Sequence, residues 1–212
     1  MKTVRKLAAV LLAAVMMISV TACGGMSSQE AGDYVKSALD ASYKGEFDDY
    51  VNRTKSTMEE AEQMYETNLQ NVMAGAGLTD LGLSDELMAK YRDLFKEMLA
   101  IAKYEMVSSE KTEDGFDVTV SYARYTGMDN LDDEVIEALQ SDLSALTKVP
   151  SEESLNEVIY GKMYELLSEK IKSPTYGDEG TMVIHVEKGD NNIYSISEDD
   201  LTELDSHLYM EE

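Results

Sequence analysis

The sequence has no tryptophan, only three phenylalanines, two histidines and a single cysteine. Each shortage removes a class of chemistry. One cysteine cannot close an internal disulfide, so an exported domain must be stable through its core alone. His185 and His207 lie far apart, without HExxH or Cys/His spacing, so no metal site is expected. His185 falls on the polar face of an expected strand, opposite Met182, Ile184 and Val186. No GxSxG elbow or SxxK pair supplies a nucleophile. Gly75-Ala76-Gly77 follows a helical pattern rather than a strand, which removes a dinucleotide loop. Carboxylates abound, with 42 acidic residues, but the lack of tryptophan leaves few flat platforms for sugar rings. Neither an enzyme nor a cofactor is expected.

Positive charge is also scarce, with 18 basic residues against 42 acidic ones. Nucleic acid is excluded as a partner, because phosphate binding needs Lys and Arg patches. Long apolar runs are missing too. The only candidate, Leu7 to Ile18, is a dozen residues, whereas a membrane-spanning helix needs roughly 20. Preceded by Lys2, Arg5 and Lys6, it reads as a secretory signal over residues 1–22. Removing it takes those three cations, leaving 15 basic against 42 acidic residues and a formal charge of −27 on 190 residues. Regularly spaced apolar residues still argue for a packed core rather than disorder.

The end of that signal, Val20-Thr21-Ala22-Cys23, resembles the lipobox of bacterial lipoproteins. The resemblance implies that the chain is cut before Cys23 and that the cysteine carries lipid. Two or more acyl chains anchor stably, since each buried methylene adds about 0.8 kcal/mol. The expected address is therefore the extracytoplasmic face of a bacterial cell membrane, with the lipid anchor as one partner. Residues 23–32 read as the lipidated cysteine and a Gly/Ser-rich tether. At about 3.5 Å per residue it reaches roughly 30 Å at most. Residues 33–212 read as one domain.

The acidic clusters Asp48-Asp49, Glu59-Glu60, Asp132-Asp133-Glu134, Glu152-Glu153 and Glu198-Asp199-Asp200 fall at expected helix starts, where carboxylates complement the helix dipole. None has the pattern of an EF-hand loop. Helical spacing runs through Ala31–Leu39 and ends near Lys44-Gly45, with a short helix around Phe47, Tyr50 and Val51. Thr57 and Glu60 form a capping box that opens the next helix. The strongest periodic segment is 85–102, with Leu87, Tyr91, Leu94, Met98 and Ile101 on one side. Tyr104 and Met106 then alternate with polar residues. After a turn at Thr112-Glu113-Asp114-Gly115, so do Phe116, Val118, Val120 and Tyr122. Two helices follow, about 131–147 and 152–172, then a second hairpin through Met182–Val186 and Ile193–Ile196, and a last helix capped by Ser197. The expected fold class is α+β: N-terminal helices packed on a curved antiparallel sheet of about four strands, with a two-helix insertion between hairpins.

Tyr34 to Tyr50, with Lys44-Gly45-Glu46-Phe47 at its centre, resembles the opening of small uncharacterised Gram-positive lipoproteins. Their domain is similar to the nuclear-transport-factor-like, cystatin-like α+β fold. That resemblance implies a concave pocket between sheet and helices and carries over no catalytic residue. Tyr104, Tyr122, Tyr125 and Tyr194, on expected strands, are the candidate pocket-lining residues, because a buried tyrosine needs a partner for its hydroxyl. The expected role is a non-catalytic ligand-binding or protein-interaction module with a small-molecule or protein partner. The alternatives are an accessory subunit of a transporter or envelope complex, and a carboxylate-dependent hydrolase or isomerase.

Overall fold

The computed structural model describes residues 25–144, 151–190 and 193–210, together with 20–21; of 20–21 and 141–144 it describes the backbone alone. Residues 1–19 and 22 of the signal segment 1–22, and Cys23, lie outside the described residues.

Among the described residues, five antiparallel strands form one sheet in the order β1-β5-β4-β3-β2. They are β1 (Val20–Thr21), β2 (Lys103–Lys111), β3 (Gly115–Tyr125), β4 (Tyr176–Lys188) and β5 (Ile193–Ile196). The first is a two-residue edge beside β5, so four strands make up the body of the sheet, as the sequence predicts. Register explains the two faces. Phe116 pairs with Val186, Val118 with Ile184 and Val120 with Met182, giving one apolar face. On the other face Asp117 pairs with His185, Thr119 with Val183 and Ser121 with Thr181. A one-residue slip would exchange the faces, so burial of the apolar face fixes the register.

At the β2–β3 turn Gly115 has φ +156°, and a Cβ there would fall 1.9 Å from the Val186 carbonyl oxygen. Close approach of the neighbouring strand is what demands glycine. Strand β2 continues past Met106, where the apolar alternation stops. A register shift between Met106 and Ser108 leaves Val107 59% exposed, and polar residues then pair as far as Lys111 with Phe116.

Among the described residues, seven α-helices accompany this frame: α1 (Ser28–Leu39), α2 (Asp48–Thr54), α3 (Met58–Gly75), α4 (Asp85–Ala100), α5 (Leu131–Ser144), α6 (Glu152–Lys172) and α7 (Glu198–Tyr209). Capping boxes Ser27/Glu30 and Thr57/Glu60 start α1 and α3, and Ser84, Ser151 and Ser197 cap α4, α6 and α7. The acidic pairs and triplets lie in the first turns of α2, α3, α5, α6 and α7.

Helices α1 and α7 lie on the apolar face of the sheet. They bury Ala31, Val35, Ala38 and Leu39 from α1, and Leu201, Leu204 and Leu208 from α7. Each valine or leucine among them contributes roughly 1.5–3 kcal/mol, and each alanine less. Behind them α4 packs against α3 and α6, and the Tyr91 hydroxyl donates to the Tyr160 carbonyl at 2.7 Å. Helix α5 packs on α6, joined by Lys170 and Glu134 at 2.8 Å. Among the described residues no helix is long and apolar enough to cross a membrane.

Two expectations change. Helix α1 begins at Ser28 and Met26 is already buried, so ordered chain occupies much of the stretch read as a 23–32 tether. The space between helices and sheet, where the resemblance implies a concave pocket, is packed around Tyr43 with the rings of Tyr104 and Tyr209, centroids 5.5 and 6.5 Å away.

Candidate functional site

Helix α1 widens at its end into a π-helical turn, Asp40–Lys44, closed by Gly45 in the left-handed region at φ +69°. Such turns insert an extra residue per turn and redirect the side chains that follow. Here the turn carries two groups inward. Asp40 is only 6% exposed and Tyr43 is fully buried.

Asp40 accepts hydrogen bonds from Lys44 and from the Tyr104 hydroxyl, both at 2.7 Å, and from Lys36. Burial alone raises its pKa, but the bonds from Lys36, Lys44 and Tyr104 outweigh burial and hold the carboxyl below its usual range. The same bond, added to burial, pushes the Tyr104 hydroxyl up. Tyr43 donates to Asp205 of α7 at 2.5 Å, and burial first, then the Asp205 charge, pushes its hydroxyl well up. The turn is thus fixed from β2 through Tyr104 and from α7 through Asp205.

On the outer side of this turn lies a cleft of about 540 Å³ between the Gly45 corner, α3 and α4. Its aromatic wall is Phe47 and Tyr65, edge to face with centroids 5.7 Å apart. Gly45 touches the tips of both: a Cβ there would lie 3.8 Å from Phe47 Cζ and 3.9 Å from Tyr65 Cζ. Lys44 and Lys96 reach along the sides. The Lys44 ammonium sits 4.7 Å from the Tyr104 ring centroid, and the Lys96 ammonium 5.9 Å from that of Tyr65. Glu62, Glu66 and Glu97 complete the rim.

Of the four candidate tyrosines, Tyr104 and Tyr122 are direct partners across β2 and β3, and each of the four has further neighbours of its own. Tyr104 belongs to the Asp40 cluster, behind Lys44. Tyr122 stacks on His207, centroids 4.7 Å apart and 12° from parallel. The Tyr125 hydroxyl is buried without a hydrogen-bond partner among the described residues, packed so closely on Gly127 that a Cβ there would fall 2.0 Å away, and burial pushes its pKa to about 12. Tyr194 packs on Phe116, accepts a bond from the Met26 amide at 3.3 Å, and lines a second cleft of about 420 Å³ with Lys111 and Lys188. The missed residues are Phe47, Tyr65 and Lys96, which come from three separate elements. Lys44-Gly45-Glu46-Phe47 was their one sequence signal.

The two histidines are placed apart. His185 lies on the outer sheet face, its ring nitrogen and its amide both 2.7 Å from an Asp200 oxygen, with Asp117 at 4.0 Å from the other ring nitrogen. The bond to Asp200 raises its pKa against a smaller effect of burial. Among the described residues no three His, Cys, Asp or Glu side chains converge as a metal site.

No protein-family model matches the chain, and no curated protein matches it. Among solved structures, the fold is similar to that of a candidate lipoprotein, ycdA, from Bacillus subtilis subsp. subtilis str. 168. The two share 16% identity with a TM-score of 0.56, over 85% of this chain and 56% of that one. This chain therefore spans about half the length of its structural neighbour, and at that identity the likeness extends to the fold.

Proposed function

We propose that the chain is an extracytoplasmic lipoprotein: cut before Cys23, held at a bacterial membrane by lipid on that cysteine, and serving as a non-catalytic binding module. One observation carries the reading. The chain's only cysteine follows Val20-Thr21-Ala22, at the end of a short apolar run with a basic start. The name of the ycdA neighbour, a candidate lipoprotein, supports it. The helix-then-sheet order also supports a nuclear-transport-factor-like origin for the scaffold.

The position of the first folded residues gives the anchor a geometric consequence. Met26 is buried and α1 starts at Ser28. At about 3.5 Å per residue, three residues of chain place the fold within roughly 10 Å of the lipidated cysteine. The end facing the membrane is the one carrying Tyr194 and the two hairpin turns, which are tied by a bond from the Lys188 amide to the Asp114 carbonyl at 2.9 Å.

A binding role is supported by the state of Glu66, a carboxylate on the cleft rim. Burial raises its pKa, but the bonds from Lys96, at 2.9 Å, and from Arg92 outweigh burial and keep it below the usual range, whereas a general acid needs its pKa raised toward the working pH. Replacing Cys23→Ala tests the anchor. The altered chain should leave the membrane fraction or remain unprocessed. Unchanged membrane attachment with the same mature mass would contradict the proposal.

A further inference from the structure

We infer that the cleft at the Lys44–Phe47 corner recognises a small organic cation: a protonated amine carried on an apolar body. The inference rests on the binding-module reading and assigns its ligand class.

The wall formed by Phe47 and Tyr65 suits an apolar body, and a volume of about 540 Å³ admits a ring and a short chain. The rim decides the charge. Of the two ammonium groups in the cleft, Lys44 is answered by Asp40 at 2.7 Å and Lys96 by Glu66 at 2.9 Å. Glu66 also takes Arg92. An anionic ligand would therefore have to displace carboxylates that already hold these lysines, one of them the buried Asp40.

What remains at the rim is Glu62 and Glu97, both exposed and neither ion-paired among the described residues. An ammonium seated there meets two carboxylates and lies beside aromatic rings, whose faces attract cations. The protein already uses this arrangement internally, with Lys44 over Tyr104 and Lys96 over Tyr65. Charge at longer range acts in the same direction. The full sequence carries −24, and such a field raises the local concentration of cations and lowers that of anions.

The test compares two probes of nearly equal shape, phenethylamine and phenylacetate, titrated into the full chain while backbone amide shifts are followed by NMR. Phenethylamine should move the amides of Gly45, Phe47 and Ala100. Phenylacetate should bind on the order of tenfold more weakly, because its charge meets the same rim with the opposite sign. The double substitution Glu62→Gln with Glu97→Gln changes only exposed side chains, and it should reduce phenethylamine affinity by a similar factor. Equal binding of phenylacetate at the cleft would overturn the cation and leave the binding module standing. Silence from both probes at these amides would overturn the site itself. A tri-lysine peptide that binds there while phenethylamine does not would make the occupant a protein, against the small amine proposed.

Discussion

Asp40 and Asp200 each hold a nitrogen donor at 2.7 Å, yet their partners differ in number and in shelter. Asp40 sits under the π-turn with its side chain 8% exposed, and three donors converge on it. Asp200's own side chain is 14% exposed, but its side-chain partner is a histidine 53% exposed on the outer sheet face, whereas one of the donors to Asp40 is the buried Tyr104 hydroxyl. Distance alone ranks the two contacts equally, but their surroundings do not. A sheltered carboxylate that loses its donors is itself stranded away from water, whereas an exposed imidazole that loses its acceptor reverts to hydration at little cost. The sheltered cluster also borders the cleft through Lys44, so it should govern both stability and the shape of the candidate site.

The sharpest way to break this comparison is Asp40→Ala. It strips Lys36, Lys44 and Tyr104 of their acceptor together, and should lower unfolding stability by about 3 kcal/mol in urea titrations. A loss below 1 kcal/mol would place Asp40 on a level with the surface pair. Because its folded pKa is depressed, the stability that Asp40 contributes is fully present above its unfolded pKa, near the ordinary aspartate value of 3.8. It is lost only as pH falls through the lower folded value. The wild-type advantage over Asp40→Ala should therefore hold from neutrality to about pH 4 and shrink below it.

Next in size is Tyr43→Phe, which removes the hydroxyl donated to Asp205 within the core. Its expected cost is about 2 kcal/mol, read from the same titrations, because a buried carboxylate oxygen loses a donor. If the cost were near zero, α7 would have no part in fixing the π-turn. The smallest effect is expected at the surface. His185→Gln should change stability by less than about 0.5 kcal/mol. The raised pKa of His185 makes its contribution fully present below about pH 6.5, its ordinary value, and lost as pH rises through the folded value. A weak alkaline decline that vanishes in the Gln variant would confirm that sign.

Local signals made most of the architecture legible. Thr57 with Glu60, Ser151 and Ser197 marked helix starts that the structure keeps, because caps act within one turn. Alternation at Phe116, Val118 and Val120 set the buried face of β3, and the two inserted helices lie where their apolar spacing placed them. What the sequence hid depends on contacts between distant residues or on irregular backbone. The π-turn looks like the end of an ordinary helix, since its wider winding is imposed by Tyr104 and Asp205, 64 and 162 residues from their partners. The second half of β2 carries no apolar alternation once the bulge at Val107 resets its faces. The four strand tyrosines were sorted by element, but the aromatic cleft takes Phe47 from before α2, Tyr65 from α3 and its flanking Lys96 from α4. No spacing rule joins these three.

The central claim is that this cleft is carried at a membrane by Cys23. Intact mass analysis of the protein extracted from bacterial membranes tests it most directly. A polypeptide beginning at Cys23 with the added mass of diacylglycerol, alone or with a further acyl chain on its amine, is the predicted result. A chain that retains residues 1–22, or one that begins elsewhere with an unmodified cysteine, would contradict it.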